Sequence, residues 1–245
     1  SNTKQRSAIE HPPGPLMILA GAGTGKTFTL ENRIIYLIEY YKVDPQHILA
    51  ITYTEKAAKE LKNRIINRLG PKVYNMTVST FHSFCFNLLK EFDDGLPQLL
   101  DQSEAIHMFL ERFDQLKPFK SDEFPLDPQR AVTESFIPFF NRARDELIDP
   151  TTMQDPVPSD DGPITTEIAN QIIDLKRIFP LFQSWKKDIN VVDYGDMILS
   201  AYKMLSSNET LLKNVQDQYR HIIVDEFQDN NFALNTIMSL ISGNR

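Results

Sequence analysis

The sequence predicts an α/β fold, a parallel sheet with helices on both faces, interrupted by a mainly helical insertion. Three observations carry that expectation. Residues 1–92 alternate short apolar runs with stretches of helical period, as strands joined by crossover helices do. From Asp93 to about Pro163 the alternation stops, and the chain turns acidic and proline-rich. One more apolar run, at 220–225, returns before the end.

Taken in order, residues 15–20 (PLMILA) are expected to form a short buried strand. From 25 to about 41, Leu30, Ile34, Leu37, Ile38 and Tyr41 recur at helical spacing. A second strand is expected at 47–53 and a second helix at 55–69, stopped by Gly70-Pro71. A third strand at 76–79 leads into a third helix at 81–92. In the middle, helical stretches near 105–113 and 131–147 are separated by acidic loops. Residues 155–163 (DPVPSDDGP) are the clearest linker. Helical patterns resume at 165–187 and 194–205, a buried strand follows at 220–225, and a helix at 232–241. The economical division is 1–92 as the first part of the sheet domain, 93–190 as the acidic helical insertion, and 191–245 as the second part. There is no internal repeat and no low-complexity tract.

Net charge is −7, which taken whole argues against a nucleic-acid partner. The distribution reverses that reading. Residues 93–161 hold 16 acidic and 6 basic side chains, while the rest of the chain carries a balance of +3. Because salt screens charges beyond about 8 Å, a local basic patch attracts phosphate whatever the distant acidity. The apolar runs are too short to span a membrane, and no secretory signal opens the chain. The single cysteine, Cys85, excludes an internal disulfide, and no Cys/His cluster has zinc spacing. A cytoplasmic protein is expected.

The segment Ala20-Gly21-Ala22-Gly23-Thr24-Gly25-Lys26-Thr27 follows the first expected strand and opens the first expected helix, as a Walker A loop must. Its glycines let successive backbone N–H groups curl toward phosphate oxygens, and the helix N-terminus adds its positive dipole end. Lys26 is expected to reach the β- and γ-phosphates, and the Thr27 hydroxyl to hold Mg²⁺. The loop gives a nucleotide site without a task, since kinases, GTPases, transporters and helicases share it.

Residues 222–229 (IIVDEFQD) end a buried strand in two carboxylates. Asp225 is expected to hold Mg²⁺ through water, and Glu226 to orient and deprotonate the attacking water. A solvated acidic turn is the plainer alternative, and the phosphate loop weighs against it. A kinase needs no such base, because its acceptor hydroxyl replaces water, so the pair favours hydrolysis.

Four blocks in order resemble the UvrD/Rep-like group of superfamily 1 helicases, which includes RecB- and AddA-type motors. Residues 21–27 resemble the AGAGTGKT loop. Residues 50–58 (AITYTEKAA) resemble the TFTNKAA block, 79–84 (STFHSF) the GTFHS block, and 224–230 (VDEFQDN) the VDEFQDT block. Residues 2–8 are similar to an adenine-reading LNxxQ segment, and 193–196 (DYGD) to a DFDDL-like block. The resemblance implies a RecA-like domain drawn from both parts of the chain, with a helical subdomain inserted. It implies that Gln5 and Arg6 meet the adenine, with the loop residues Ala20 to Thr27 on the phosphates, and it counts Gln228 with Lys26, Asp225 and Glu226 in the catalytic set. It implies that Tyr53 stacks on single-stranded bases while Thr52, Thr54, Thr80, His82 and Ser83 line the DNA backbone.

Stacking on an aromatic tolerates any sequence, as a motor requires. Lys56, Lys59, Lys62, Arg64 and Arg68, following Tyr53 on one helix, are candidates for phosphate contact. The plainer reading makes Tyr53 a strand-end core residue and the lysines a solvated face. Two positions depart from the family's pattern: Glu55 stands for its asparagine, and Phe28 for a frequent arginine.

The expected function is an ATP-dependent 3′ to 5′ translocase on single-stranded or tailed duplex DNA, in repair or recombination, with ATP and Mg²⁺ as cofactors. The family's second RecA-like domain and its arginines are expected beyond these residues, so the chain alone is expected to bind ATP but not unwind DNA. A nucleotide-dependent clamp that binds DNA without travelling is the alternative from another class.

Overall fold

The computed structural model describes residues 2–21, 23–92, 97–159 and 162–243. In chain order its main elements are α1 (Thr3–Glu10), α2 (Lys26–Glu39), β1 (Ile48–Thr52), α3 (Glu55–Leu69), β2 (Thr77–Thr80) and α4 (Phe81–Phe92). Then come β3 (Gln98–Leu99), α5 (Gln102–Glu111), α6 (Pro128–Arg130), α7 (Ile137–Asp145), α8 (Thr166–Asp188) and β4 (Val191–Val192). The chain closes with α9 (Tyr194–Ser207), α10 (Glu209–Gln218), β5 (His221–Val224) and α11 (Phe232–Ser242). A π-helical stretch, Ala131–Phe136, links α6 to α7. The chain divides into two compact units, one of residues 1–87, 202–230 and 234–245, the other of residues 88–201 and 231–233.

The first unit is built on a parallel three-stranded sheet in the order β2-β1-β5. β1 lies between two neighbours, and all five of its residues are buried, which is why it reads as an unbroken apolar run. Ala50 sits opposite Val78 on one side and Ile223 on the other. Ile34, Ile38, Leu61, Ile65, Val73 and Met76 pack with β1 into one core cluster. α3 has both ends written in its sequence. The Thr54 side chain caps the Ala57 N–H at 3.1 Å, and Gly70, at φ 73°, ends the helix before Pro71.

The expected buried strand at 15–20 is not one. The segment pairs with no described strand, and Met17 and Leu19 are 72% and 89% exposed. Apolar character without alternation carries no register, and a strand exists only where a ladder partner accepts it. β5 is accordingly an outer strand of the described sheet, and its four residues are only half-buried.

The second unit is mainly helical around a phenylalanine-rich core. Phe109, Phe136, Phe140 and Phe182 are fully buried, with the Phe109 and Phe182 rings 4.5 Å apart. β3 and β4 form a separate parallel pair. A buried ionic cluster fixes the start of α9. Arg144 donates to Asp193 Oδ2 at 2.7 Å and Asp196 Oδ1 at 3.0 Å, and Lys186 donates to both carboxylates. Gly195 lies between the two acids because a Cβ there would stand 2.5 Å from Arg144 Nε. Burial pushes the Asp193 carboxyl up, but Arg144 and Lys186 outweigh it and hold the group below the usual aspartate range.

Candidate nucleotide and nucleic-acid site

Parallel register gathers the motifs. Strands in one direction end on one side, and the chain segments leaving β1, β2 and β5 carry residues 53–55, 81–83 and 225–228. The Asp225 N–H donates to the Ile51 carbonyl at 2.9 Å, extending the β1–β5 ladder by one residue. The carboxyl ends of parallel strands are where ligands of α/β sheets bind.

The phosphate loop bends through two glycines in the left-handed region, Gly23 at φ 73° and Gly25 at φ 85°. Gly25 is the N-cap of α2, and no side chain caps that end, so the first-turn N–H groups are open to an anion. Thr24 Oγ1 donates to the Gly21 carbonyl at 2.7 Å. Gln5 Nε2 donates to the Thr24 carbonyl at 2.9 Å, while its Oε1 accepts from the Asn2 N–H in a capping box. The adenine-reading candidate thus braces the loop, and each amide atom retains one further hydrogen-bonding position. A Cβ at Gly25 would lie 2.8 Å from Gln5 Nε2, so this glycine is required for space as well as for φ. Arg6 pairs with Glu10 at 2.8 Å on the exposed face of α1. Ala20 is half-buried and Gly21 exposed; Ala22 lies outside the described residues.

Lys26 Nζ donates to Glu226 Oε2 at 2.9 Å, joining the loop to the second acidic motif. Gln228 Nε2 donates to the same oxygen. The Gln228 amide and then Lys26 hold the Glu226 carboxyl below the usual glutamate range, while Lys26 is raised by Glu226. Asp225 moves the other way, pushed up by burial and by the neighbouring Glu226 charge. Two adjacent carboxylates are therefore set apart in proton affinity. Glu226 itself sits at φ 51°, a conformation that costs a non-glycine residue about 1–2 kcal/mol. Thr27 is exposed on the first turn of α2, and no hydrogen bond joins it to Asp225 among the described residues.

Tyr53 is 69% exposed at the end of β1, which rules out the core reading. Its neighbours are engaged within the protein. Thr52 is buried and donates to the Thr54 carbonyl at 3.1 Å, while Thr54 caps α3. Thr80 is buried too, at the end of β2, whereas His82 is exposed and Ser83 half-buried in the first turn of α4. Glu55 accepts from Thr80 Oγ1 at 2.6 Å and Ser83 Oγ at 2.5 Å, linking the two blocks. The basic helix divides. Arg64 and Arg68 face Glu31 of α2 at 3.9 and 3.8 Å, whereas Lys56, Lys59 and Lys62 form no ion pair among the described residues.

The family described as "UvrD/REP helicase N-terminal domain" matches over residues 1–245. The chain belongs to that family. It is 30% identical to "DNA helicase II" of Rickettsia typhi over 236 residues, 95% of this chain and 34% of that protein. It is 31% identical to "ATP-dependent DNA helicase Rep" of Buchnera aphidicola over 247 residues, 100% of this chain and 34% of the relative. "ATP-dependent DNA helicase PcrA" of Bacillus subtilis is 32% identical over 237 residues, 95% of this chain and 30% of the relative. The chain spans about a third of the length of these relatives.

For a UvrD/REP helicase N-terminal domain, the structure adds residues that the sequence motifs had not flagged for these roles. Glu55 was marked only as a departure, yet it organises Thr80 and Ser83. Glu31 carries no motif and anchors two arginines. Arg144 and Lys186 give the DYGD block a structural reason, which its two acids three residues apart only hinted at. Among the described residues no helix is long and apolar enough to cross a membrane, and no group of three or more potential ligands is placed to hold a metal ion.

Proposed function

We propose that this chain is the nucleotide-binding motor domain of an ATP-driven DNA helicase, with a RecA-like P-loop fold carrying a helical insertion. The observation that carries the reading is the Lys26–Glu226 contact, which brings the expected phosphate-binding cation and the expected base together. Relatives named as ATP-dependent DNA helicases support it.

The residues fit ATP with Mg²⁺. The uncapped first turn of α2 offers N–H donors, and Lys26 already holds an anionic oxygen where a phosphate oxygen would bind. Thr27 and Asp225 would hold Mg²⁺, which when bound neutralises charge on the phosphates. Gln5 and Arg6 would meet the adenine, with the loop from Ala20 to Thr27 around the phosphates. Once Lys26 turns to phosphate, Glu226 is free to accept a proton from water, with Gln228 orienting it. Tyr53 would stack on a base of single-stranded DNA, His82 would line the backbone, and Lys56, Lys59 and Lys62 would contact phosphates.

Movement in the 3′ to 5′ sense, in repair or recombination, is what the resemblance implies. A second RecA-like domain is the partner expected to supply arginines, each worth about 10³–10⁵ in rate where such residues act in trans. Turnover by these 245 residues alone is therefore expected to be slow. Anisotropy titration with a labelled single strand, with and without ATP and Mg²⁺, tests the reading. Binding that weakens with salt and responds to nucleotide is expected; no binding of either ligand would overturn it.

A further inference from the structure

One buried side chain grips the carboxyl end of α1. Arg33 is 8% exposed and lies about two turns along α2 from Gly25. Its Nη1 donates to the Ile9 carbonyl at 3.0 Å and to that of His11, and its Nη2 to that of Pro12 at 3.2 Å. These are carbonyls at the end of a helix, where the dipole favours a cation. Arg33 forms no ion pair among the described residues, so the carbonyls are what satisfies its buried charge.

Little else fixes α1. It buries no residue, and only Gln5, Ala8 and Ile9 are half-buried. Residues 12–19, which join it to the phosphate loop, are exposed throughout. Among the described residues, hydrogen bonds tie segment 2–14 to the rest of the chain at two places. One is Arg33; the other is Gln5 in the first turn, which donates to the Thr24 carbonyl at 2.9 Å. Thr24 immediately precedes the N-cap of α2, so both attachments refer α1 to the same helix. The eight residues of α1 span about 12 Å. A rod held at one end pivots, and one held at both ends keeps its direction.

Reading a base edge requires placement within about 0.5 Å. The Gln5 amide cannot turn over to suit a different base, because its Oε1 accepts from Asn2 and its Nε2 donates to Thr24. In that orientation its oxygen can accept from the adenine N6 amino group while its nitrogen donates to N7, whereas a 6-oxo purine presents an acceptor in place of N6. We propose that Arg33 is a positioning residue for base selection: by holding the end of α1 it aims Gln5, so that preference for adenine depends on a side chain that touches no nucleotide. The proposal rests on reading Gln5 and the phosphate loop as one nucleotide site.

The competing explanation is that Arg33 only stabilises the unit. Its loss would then weaken every ligand of the loop alike. Calorimetric titrations with ATP, inosine triphosphate and inorganic tripolyphosphate, each with Mg²⁺, separate the two. The readout is the ratio of the inosine triphosphate to the ATP dissociation constant. Gln5→Ala should lower that ratio about fivefold or more, since one bidentate contact is lost. Arg33→Met should lower it at least about threefold, with tripolyphosphate affinity changed less than about twofold. Arg33→Lys, which keeps the charge and should fold where methionine does not, should fall between Arg33→Met and the parent. The double variant Gln5→Ala, Arg33→Met should be no lower than Gln5→Ala alone, because the arginine acts through the glutamine. Arg33 variants that keep the parent ratio, or that lose all three ligands in proportion, would overturn the positioning role and leave the nucleotide site standing. A parent protein that binds none of the three would overturn the site itself.

Discussion

Lys26 and Glu226 lie 200 positions apart in sequence and 2.9 Å apart in space. The lysine that should hold phosphate is held by the carboxylate that should activate water, so each occupies the other. Both side chains are about one-third exposed, at 31% and 34%. Exposed pairs of this kind are worth about 0–1 kcal/mol, so a polyphosphate with several charges can displace Glu226 at little cost. The unusual backbone of Glu226 holds its carboxylate at the loop. On the proposed roles, phosphate binding at Lys26 would release Glu226 to act as the base.

Tyr53 should contribute to DNA binding and not to folding. Its ring is exposed, so Tyr53→Ala should leave thermal unfolding nearly unchanged while weakening single-stranded DNA binding by about 1–3 kcal/mol at matched salt. An unchanged DNA affinity would move the strand to another face.

Arg144 and Gly195 should behave as one structural unit. Arg144→Ala leaves Asp193 and Asp196 with one cation between them and should destabilise by about 3–5 kcal/mol. Gly195→Ala drives a methyl group against a guanidinium fixed by two carboxylates and should cost about 1–3 kcal/mol. Urea unfolding measures both. Additive losses in the double variant would show that the two positions are independent, because removal of Arg144 should relieve the Gly195→Ala clash.

The same cluster sets an acid limit. The folded pKa of Asp193 is lowered, so its stabilisation is present above the unfolded aspartate value and is lost as pH falls through the folded one. Asp193→Asn should be less stable than the parent near neutral pH, and the gap should close below about pH 4. A gap that stays constant down to acid unfolding would show that the ion pairs contribute nothing net.

Much of the first unit was legible because its signals are local. Thr54 and Gly70-Pro71 mark both ends of α3, and the apolar period marks α2 and α4. The helix α1 went unread because it buries nothing, although Asn2 and Gln5 form a capping box whose spacing was available. α10 was missed too, despite the Asn208 cap and the buried Leu211 and Val215. The failure at 15–20 is of another kind: apolarity predicts removal from water, and pairing depends on a partner the sequence does not name. The site divides the same way. The loop and the paired acids are short-range patterns, whereas the Lys26–Glu226 pair, the Glu55–Thr80–Ser83 network and the Arg144 cluster join residues far apart in sequence.

Calorimetric titration of Mg²⁺-ATP into three proteins tests the central claim most directly. Lys26→Ala removes the cation that meets phosphate and should weaken binding at least tenfold, about 1.4 kcal/mol or more. Glu226→Gln removes the charge that competes for Lys26 and should bind as tightly as the parent, or up to about fivefold tighter, given the modest worth of an exposed pair. Wild-type affinity in Lys26→Ala, or a Glu226→Gln protein that binds as poorly as Lys26→Ala, would contradict the assignment of this loop and this carboxylate to one nucleotide site.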